Sequence, residues 1–125
     1  MLVFDTNILI GYLSNDAAIV AHLDAARARG ESFAISVITE IELLASPVLE
    51  LGDELLIDRL LASLDIVGLH STIARSAAAL RRSTRLPLGD AVIAATAKAR
   101  YATLVTRDRD LAQKAKRCEI EVQLL

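Results

Sequence analysis

Along this chain, short apolar runs alternate with longer stretches in which apolar residues recur at helical spacing. Leu2 to Phe4 is an apolar run that stops at Asp5, Thr6 and Asn7, residue types that favour turns and helix starts. It reads as a strand feeding a helix. Asp16 to Arg29 is Ala-rich, places Ile19, Leu23 and Ala26 one helical turn apart, and ends at Gly30, a C-terminal cap. Ser32 to Ser36 reads as a second strand. Val37 to Ala45 reads as a helix that ends before Ser46-Pro47, because proline cannot continue it. Leu51 to Leu64 follows as a helix, Ile66 to Leu69 as a third strand and Ser71 to Thr84 as another helix. Pro87 and Gly89 break the chain before Asp90 to Arg100, which is apolar on nearly all sides until Lys98 and is therefore expected in the core. Thr103 to Thr106 makes a fourth strand, Leu111 to Lys116 a short helix, and Ile120 to Leu124 a fifth strand.

Strands separated by helices predict an α/β fold with a parallel sheet, since each parallel connection needs a crossover and the crossovers cover both faces. In open sheets of this kind ligands bind beyond the carboxyl ends of the strands. That edge is where candidate chemistry should gather.

Composition sharpens the picture only in part. At 125 residues and 54% hydrophobic content, residues 1–125 suit a single domain with a real core. The formal charge of −2 carries no global sign of a polyanion partner. Its distribution is uneven, however: residues 1–69 hold three basic groups against eleven acids, and residues 70–125 hold eleven against five. Such a split fits an acidic pocket beside a basic landing surface, or simply helix faces of unequal charge. Cys118 is the only cysteine, which excludes an internal disulfide and fits a reducing compartment. The N-terminus lacks the pattern of a signal peptide, and no apolar stretch is long enough to span a membrane. The expectation is a soluble cytoplasmic protein.

The strand ends carry acids. Asp5 directly follows the first strand and Asp108 closely follows the fourth, so both belong at the same edge of the sheet. Asp90 opens the buried helix within LPLGDAVIAATA, and Asp110 lies two residues beyond Asp108. Each has a plain structural use as an N-cap or as a charge favoured by the helix dipole, and for Asp110 that is the preferred reading. Glu42 allows a test of direction. With Ile38 at zero, Ile41 and Ala45 fall within about 60° and Glu42 at about +40°, which sets Glu42 at the border of the apolar face, while Glu40 points away. A carboxylate on the inward side needs compensation, by a metal ion or by a cation such as Arg107.

Four acids, Asp5, Glu42, Asp90 and Asp108, converging without His or Cys ligands suit hard divalent cations, Mg²⁺ or Mn²⁺ ahead of zinc. That is apparatus for phosphodiester hydrolysis by an activated water. Asn7 and Thr106 stand beside these acids and either orient a carboxylate or water or satisfy local backbone groups. The chain has no dinucleotide or P-loop glycine motif, no G-x-S-x-G and no H-E-x-x-H. His22 and His70 read as surface or capping residues.

The segments FDTN, SVITEIELL, LPLGDAVIAATA and LVTRDRD, in this order, resemble the PIN-domain family, and most of all its VapC-type toxins, the ribonuclease halves of toxin–antitoxin pairs. The resemblance implies a PIN-like three-layer α/β/α sandwich with a central parallel sheet of about five strands. It also implies an acidic pocket binding Mg²⁺ or Mn²⁺, built from Asp5, Glu42, Asp90 and Asp108. Such proteins are usually homodimers, cut RNA, and are held inactive by a cognate antitoxin. On that footing Arg81, Arg82, Arg85, Arg107 and Arg109 become candidate phosphate contacts near the metal, with solvated surface charge as the plain alternative. At 3% aromatic residues, base stacking is not the main mode of RNA contact. Two rival readings are a non-catalytic binding module of the same fold and a phosphatase or phosphotransferase with Asp5 as nucleophile. The latter class carries a second Asp where this chain has Asn7.

Overall fold

A computed structural model describes residues 1–47 and 53–125. Five strands form one sheet: β1 (Leu2–Phe4), β2 (Phe33–Ser36), β3 (Asp65–Val67), β4 (Thr103–Thr106) and β5 (Val122–Leu124). The described helices are α1 (Thr6–Leu13), α2 (Ala17–Ala28), α3 (Val37–Leu44), α4 (Glu54–Ala62), α5 (Ser71–Thr84), α6 (Leu88–Ala99) and α7 (Arg109–Arg117). Strand order is β3-β2-β1-β4-β5 and every pairing is parallel. The predicted parallel α/β sheet is therefore present, with four helices on one face and three on the other.

Strand alternation explains the two cores. Leu2 and Phe4 of β1 face one side of the sheet and Val3 faces the other, as the period of two requires. On the first side they join Ile35, Val105 and the inward residues of α1 to α4, including Ile8, Leu9, Ile19, Leu23 and Leu43. On the second, Val3 joins Ala34, Leu104 and residues of α5, α6 and α7, among them Ile73, Ile93 and Leu111. Helix α6 is buried at every residue from Ala91 to Ala97, as its all-round apolar character predicts. Gly30 holds φ 81 just past α2, the left-handed turn that ends a helix and suits glycine.

Several boundaries differ from the sequence reading. Strand β3 begins at Asp65 and stops at Val67, because Gly68 and Leu69 have no neighbouring strand beyond β2's own end at Ser36. The start of the predicted helix at Leu51 lies outside the described residues; its described part begins at Glu54. Helix α6 begins two residues early, at Leu88, with Pro87 at the N-cap position and Gly89 inside the first turn. Proline is well placed at a helix start, since its missing N–H would be unsatisfied there anyway. Asp90 is thus a first-turn residue and not the cap.

Among the described residues no helix is long and apolar enough to cross a membrane.

Candidate metal centre

The strand order reverses beside β1, where β2 and β3 lie on one side and β4 and β5 on the other. Such a switch point opens a crevice at the carboxyl ends of the strands. Asp5 leaves β1 at that place, and Thr106 and Asp108 leave β4.

Asp5 is 6% exposed, so its charge requires local partners. Oδ1 accepts from the Thr6 amide at 2.8 Å and Oδ2 from the Thr106 hydroxyl at 2.7 Å. Burial pushes the carboxyl above the usual Asp range; these two donors pull it back, and the charges of Glu42 and Asp108 push it up again, for a net rise. Thr106 also accepts from the Asp108 amide at 3.0 Å. Its hydroxyl therefore joins the turn after β4 to the acid at the end of β1, bonding both a carboxylate and a local backbone amide.

Asp108 does cap a helix: Oδ1 accepts from the amides of Asp110 and Leu111 at 2.9 and 3.1 Å. The cap and the acid cluster are compatible, because capping engages one oxygen and fixes the direction of the other. Asp110, in the first turn of α7, pairs with Lys114 at 2.9 Å.

Glu42 reaches the site by a route the sequence reading did not foresee. The buried residues of α3 are Thr39 and Leu43, while Ile41 and Leu44 are 57% and 55% exposed. The inward direction thus lies about 120° from Ile38, opposite Ile41, and Glu42 flanks it at about 80°. Hydrophobicity misdirected the assignment because α3 turns an apolar stripe outward. What orients Glu42 is a hydroxyl: Thr6 Oγ1 donates to Oε1 at 2.7 Å, and the Thr6 and Thr39 hydroxyls are hydrogen-bonded at 3.2 Å. Neither threonine was singled out from the sequence. The available signals were the position of Thr6 beside Asp5 and the i, i+3 spacing of Thr39 and Glu42.

Asp90, in the first turn of α6, is half-buried and has no side-chain hydrogen bond or ion pair among the described residues. Burial raises its pKa most, followed by the charges of Asp5, Asp108, Glu42 and Asp110, to about 6. Asp5, Glu42 and Asp108 thus lie near enough to Asp90 for their charges to act on it. A half-buried carboxylate that faces other carboxylates and no donor is costly without a cation.

The donor set is all oxygen, which fits Mg²⁺ or Mn²⁺. Among the described residues, no three His, Cys, Asp or Glu side chains stand close enough to hold one ion between them as placed.

The remaining candidates separate. Arg107 does not compensate Glu42; its Nη2 pairs with Asp16 Oδ2 at 2.7 Å and holds that carboxyl below the usual range. Asn7 orients no carboxylate, since its Oδ1 accepts from the Arg107 amide at 3.3 Å. Arg81 Nε donates to the Leu86 carbonyl at 3.2 Å and so braces the turn between α5 and α6. Arg82, Arg85 and Arg109 are exposed and pair with nothing among the described residues. Arg85 takes the left-handed conformation that ends α5, φ 60. His22 bonds Gln123 at 3.0 Å across α2 and β5, and His70 sits at the N-cap of α5 without capping it.

A parallel five-stranded sheet with helices on both faces defines a three-layer α/β/α sandwich. This chain belongs to the PIN domain family, which it matches over residues 2–117. It is similar to a chain of a toxin–antitoxin complex from Klebsiella pneumoniae, at 33% identity over 90% of this chain and 91% of that one, with a TM-score of 0.80. FitAcB from Neisseria gonorrhoeae shares 26% identity over 98% and 96%, with a TM-score of 0.75. VapBC2 from Rickettsia felis, bound to a DNA fragment from their promoter, shares the fold, at 22% identity over 99% and 98% and a TM-score of 0.82. None of the curated proteins matches. The predicted PIN-like architecture and the likeness to VapC-type systems both hold.

Proposed function

We propose that the chain is a Mg²⁺- or Mn²⁺-dependent endoribonuclease, the toxin of a type II toxin–antitoxin pair acting in the cytoplasm as a homodimer. The observation that carries this reading is Asp90, a half-buried carboxylate without a donor among charges of its own sign. Asp5, Glu42, Asp90 and Asp108 would hold the ion. When bound, it would lower the pKa of a water and neutralise charge on the scissile phosphate.

The chain's own groups do the rest. Thr106 and the Thr6 amide fix both oxygens of Asp5, and the Thr6 hydroxyl fixes one oxygen of Glu42. Orientation of this kind is what keeps a carboxylate cluster ready for a cation instead of collapsing onto internal donors. Arg82, Arg85 and Arg109, without an ion-pair partner among the described residues, offer cations for RNA phosphates. A cognate antitoxin is supported by the toxin–antitoxin complex from Klebsiella pneumoniae.

Cleavage of RNA by the purified protein tests the reading. EDTA should abolish it, Mg²⁺ or Mn²⁺ should restore it, and Asp5→Asn should lack it under all conditions. Cleavage that survives both EDTA and Asp5→Asn would come from a contaminant. Neither cleavage nor metal binding would turn the assignment toward a docking module of the same fold.

A further inference from the structure

Asp16 is not one of the four acids, yet it ties α2 to α1 and to the turn between β4 and α7, both of which carry parts of the centre. One oxygen, Oδ1, accepts from the amides of Ala18 and Ile19 at 3.1 and 3.2 Å and caps α2. The other, Oδ2, accepts from Arg107 Nη2 at 2.7 Å. The Asp16 amide donates to the Gly11 carbonyl of α1 at 2.9 Å. Arg107 is anchored a second time, by its amide on Asn7 Oδ1 of α1. Gly11 permits this closeness, because a methyl group there would run into Cδ1 of Ile19 and would lie 3.8 Å from Arg107 Nη1.

What Arg107 separates gives the grip its meaning. On one side stands Thr106, whose hydroxyl donates to Asp5; on the other stands Asp108, whose amide donates to that same hydroxyl. Any displacement of Arg107 must move one or both, since the peptide units between them are rigid planes with only two soft torsions per residue. The side chains of the pair are 37% and 32% exposed, so its contribution to overall stability is small, as for other partly exposed ion pairs. Its effect is instead geometric. Arg107 is also spoken for: a guanidinium held by Asp16 at 2.7 Å is not a free phosphate contact.

Resting on the metal-centre reading above, we propose that Asp16 is a positioning residue, which grips Arg107 and thereby fixes the turn that presents Asp108 and Thr106 to the centre. Asp16→Asn and Asp16→Ser separate this role from capping, because Asn and Ser both cap helices well but neither offers Arg107 a carboxylate. Two readouts apply to the intact protein. Hydrogen exchange of the amides of residues 107–111, in EDTA, should quicken about tenfold in both variants and in Arg107→Gln. The dissociation constant for Mn²⁺ should rise about tenfold, in the range found when partners of metal ligands are removed. Arg107→Lys should recover part of both effects, and Asp16→Asn with Arg107→Gln together should be no worse than either alone.

Unchanged exchange at residues 107–111 in Asp16→Asn and Asp16→Ser would overturn the proposal. So would a double variant whose defects add. If the wild-type protein binds no Mn²⁺ while exchange responds as expected, the metal reading fails and the positioning role stands.

Discussion

The Thr106 hydroxyl donates to Asp5 Oδ2 at 2.7 Å, linking the ends of β4 and β1 across 101 positions of sequence. Both groups are buried, and Thr106 is wholly so. Thr106→Val keeps the shape and removes the donor, leaving Asp5 with one protein hydrogen bond. The expected cost is about 1.5–3 kcal/mol of stability, the range for a hydrogen bond to a charged group. The metal-dependent rate should fall about tenfold or more. Thr106→Ser should retain most of both. Chemical denaturation and RNA cleavage check the two parts; a Val variant as stable and active as wild type would remove Thr106 from the centre.

Thr6 plays the matching part for Glu42, through a bond of 2.7 Å. Thr6→Val should lower affinity for Mn²⁺ by about tenfold while leaving Asp5 capped, because the Thr6 amide is untouched. Calorimetric titration reads this directly. Equal affinity in the variant would mean that Glu42 needs no help from the hydroxyl.

Asp90 gives the protein a pH dependence of definite sign. Its folded pKa, about 6, exceeds the ordinary 3.8, so between these values the folded state holds a proton that the unfolded chain has released. Stability from this group is therefore complete below the ordinary value and is lost as pH rises through about 6. In EDTA, the melting temperature should fall between about pH 4 and pH 6, by less in Asp90→Asn, which should also melt higher than wild type at pH 7. Asp5 contributes in the same direction, so the slope should shrink without vanishing. Divalent metal should offset the loss, more strongly at higher pH, because ligands must shed protons to bind it. Parallel melting profiles for wild type and Asp90→Asn would exclude this account.

The exposed arginines and the engaged ones should behave differently. Arg109→Ala should weaken RNA binding and flatten the log–log dependence on salt by about one. Arg81→Ala should mainly lower stability, since Arg81 Nε serves the Leu86 carbonyl. Binding isotherms at several salt concentrations, paired with thermal melts, distinguish them; identical salt slopes in wild type and Arg109→Ala would free Arg109 of a phosphate role.

Much of this molecule was legible in the order of its residues. Apolar runs of three or four residues such as Leu2–Phe4, set between helical periodicities, are enough to specify a parallel sheet, because the crossovers leave no other economical arrangement. The placement of Asp5 and Asp108 at one sheet edge was legible because each closely follows a strand, and local chemistry fixes such ends. Tertiary structure alone decided the rest. Glu42 owes its place to Thr6 and Thr39, not to the apolar stripe of Ile41 and Leu44, which faces outward. Arg107 chose Asp16 over Glu42, a pairing 91 positions apart. Periodicity encodes which side of an element is apolar. It cannot encode which donor meets which acceptor, since that depends on where separate elements stop relative to one another in space.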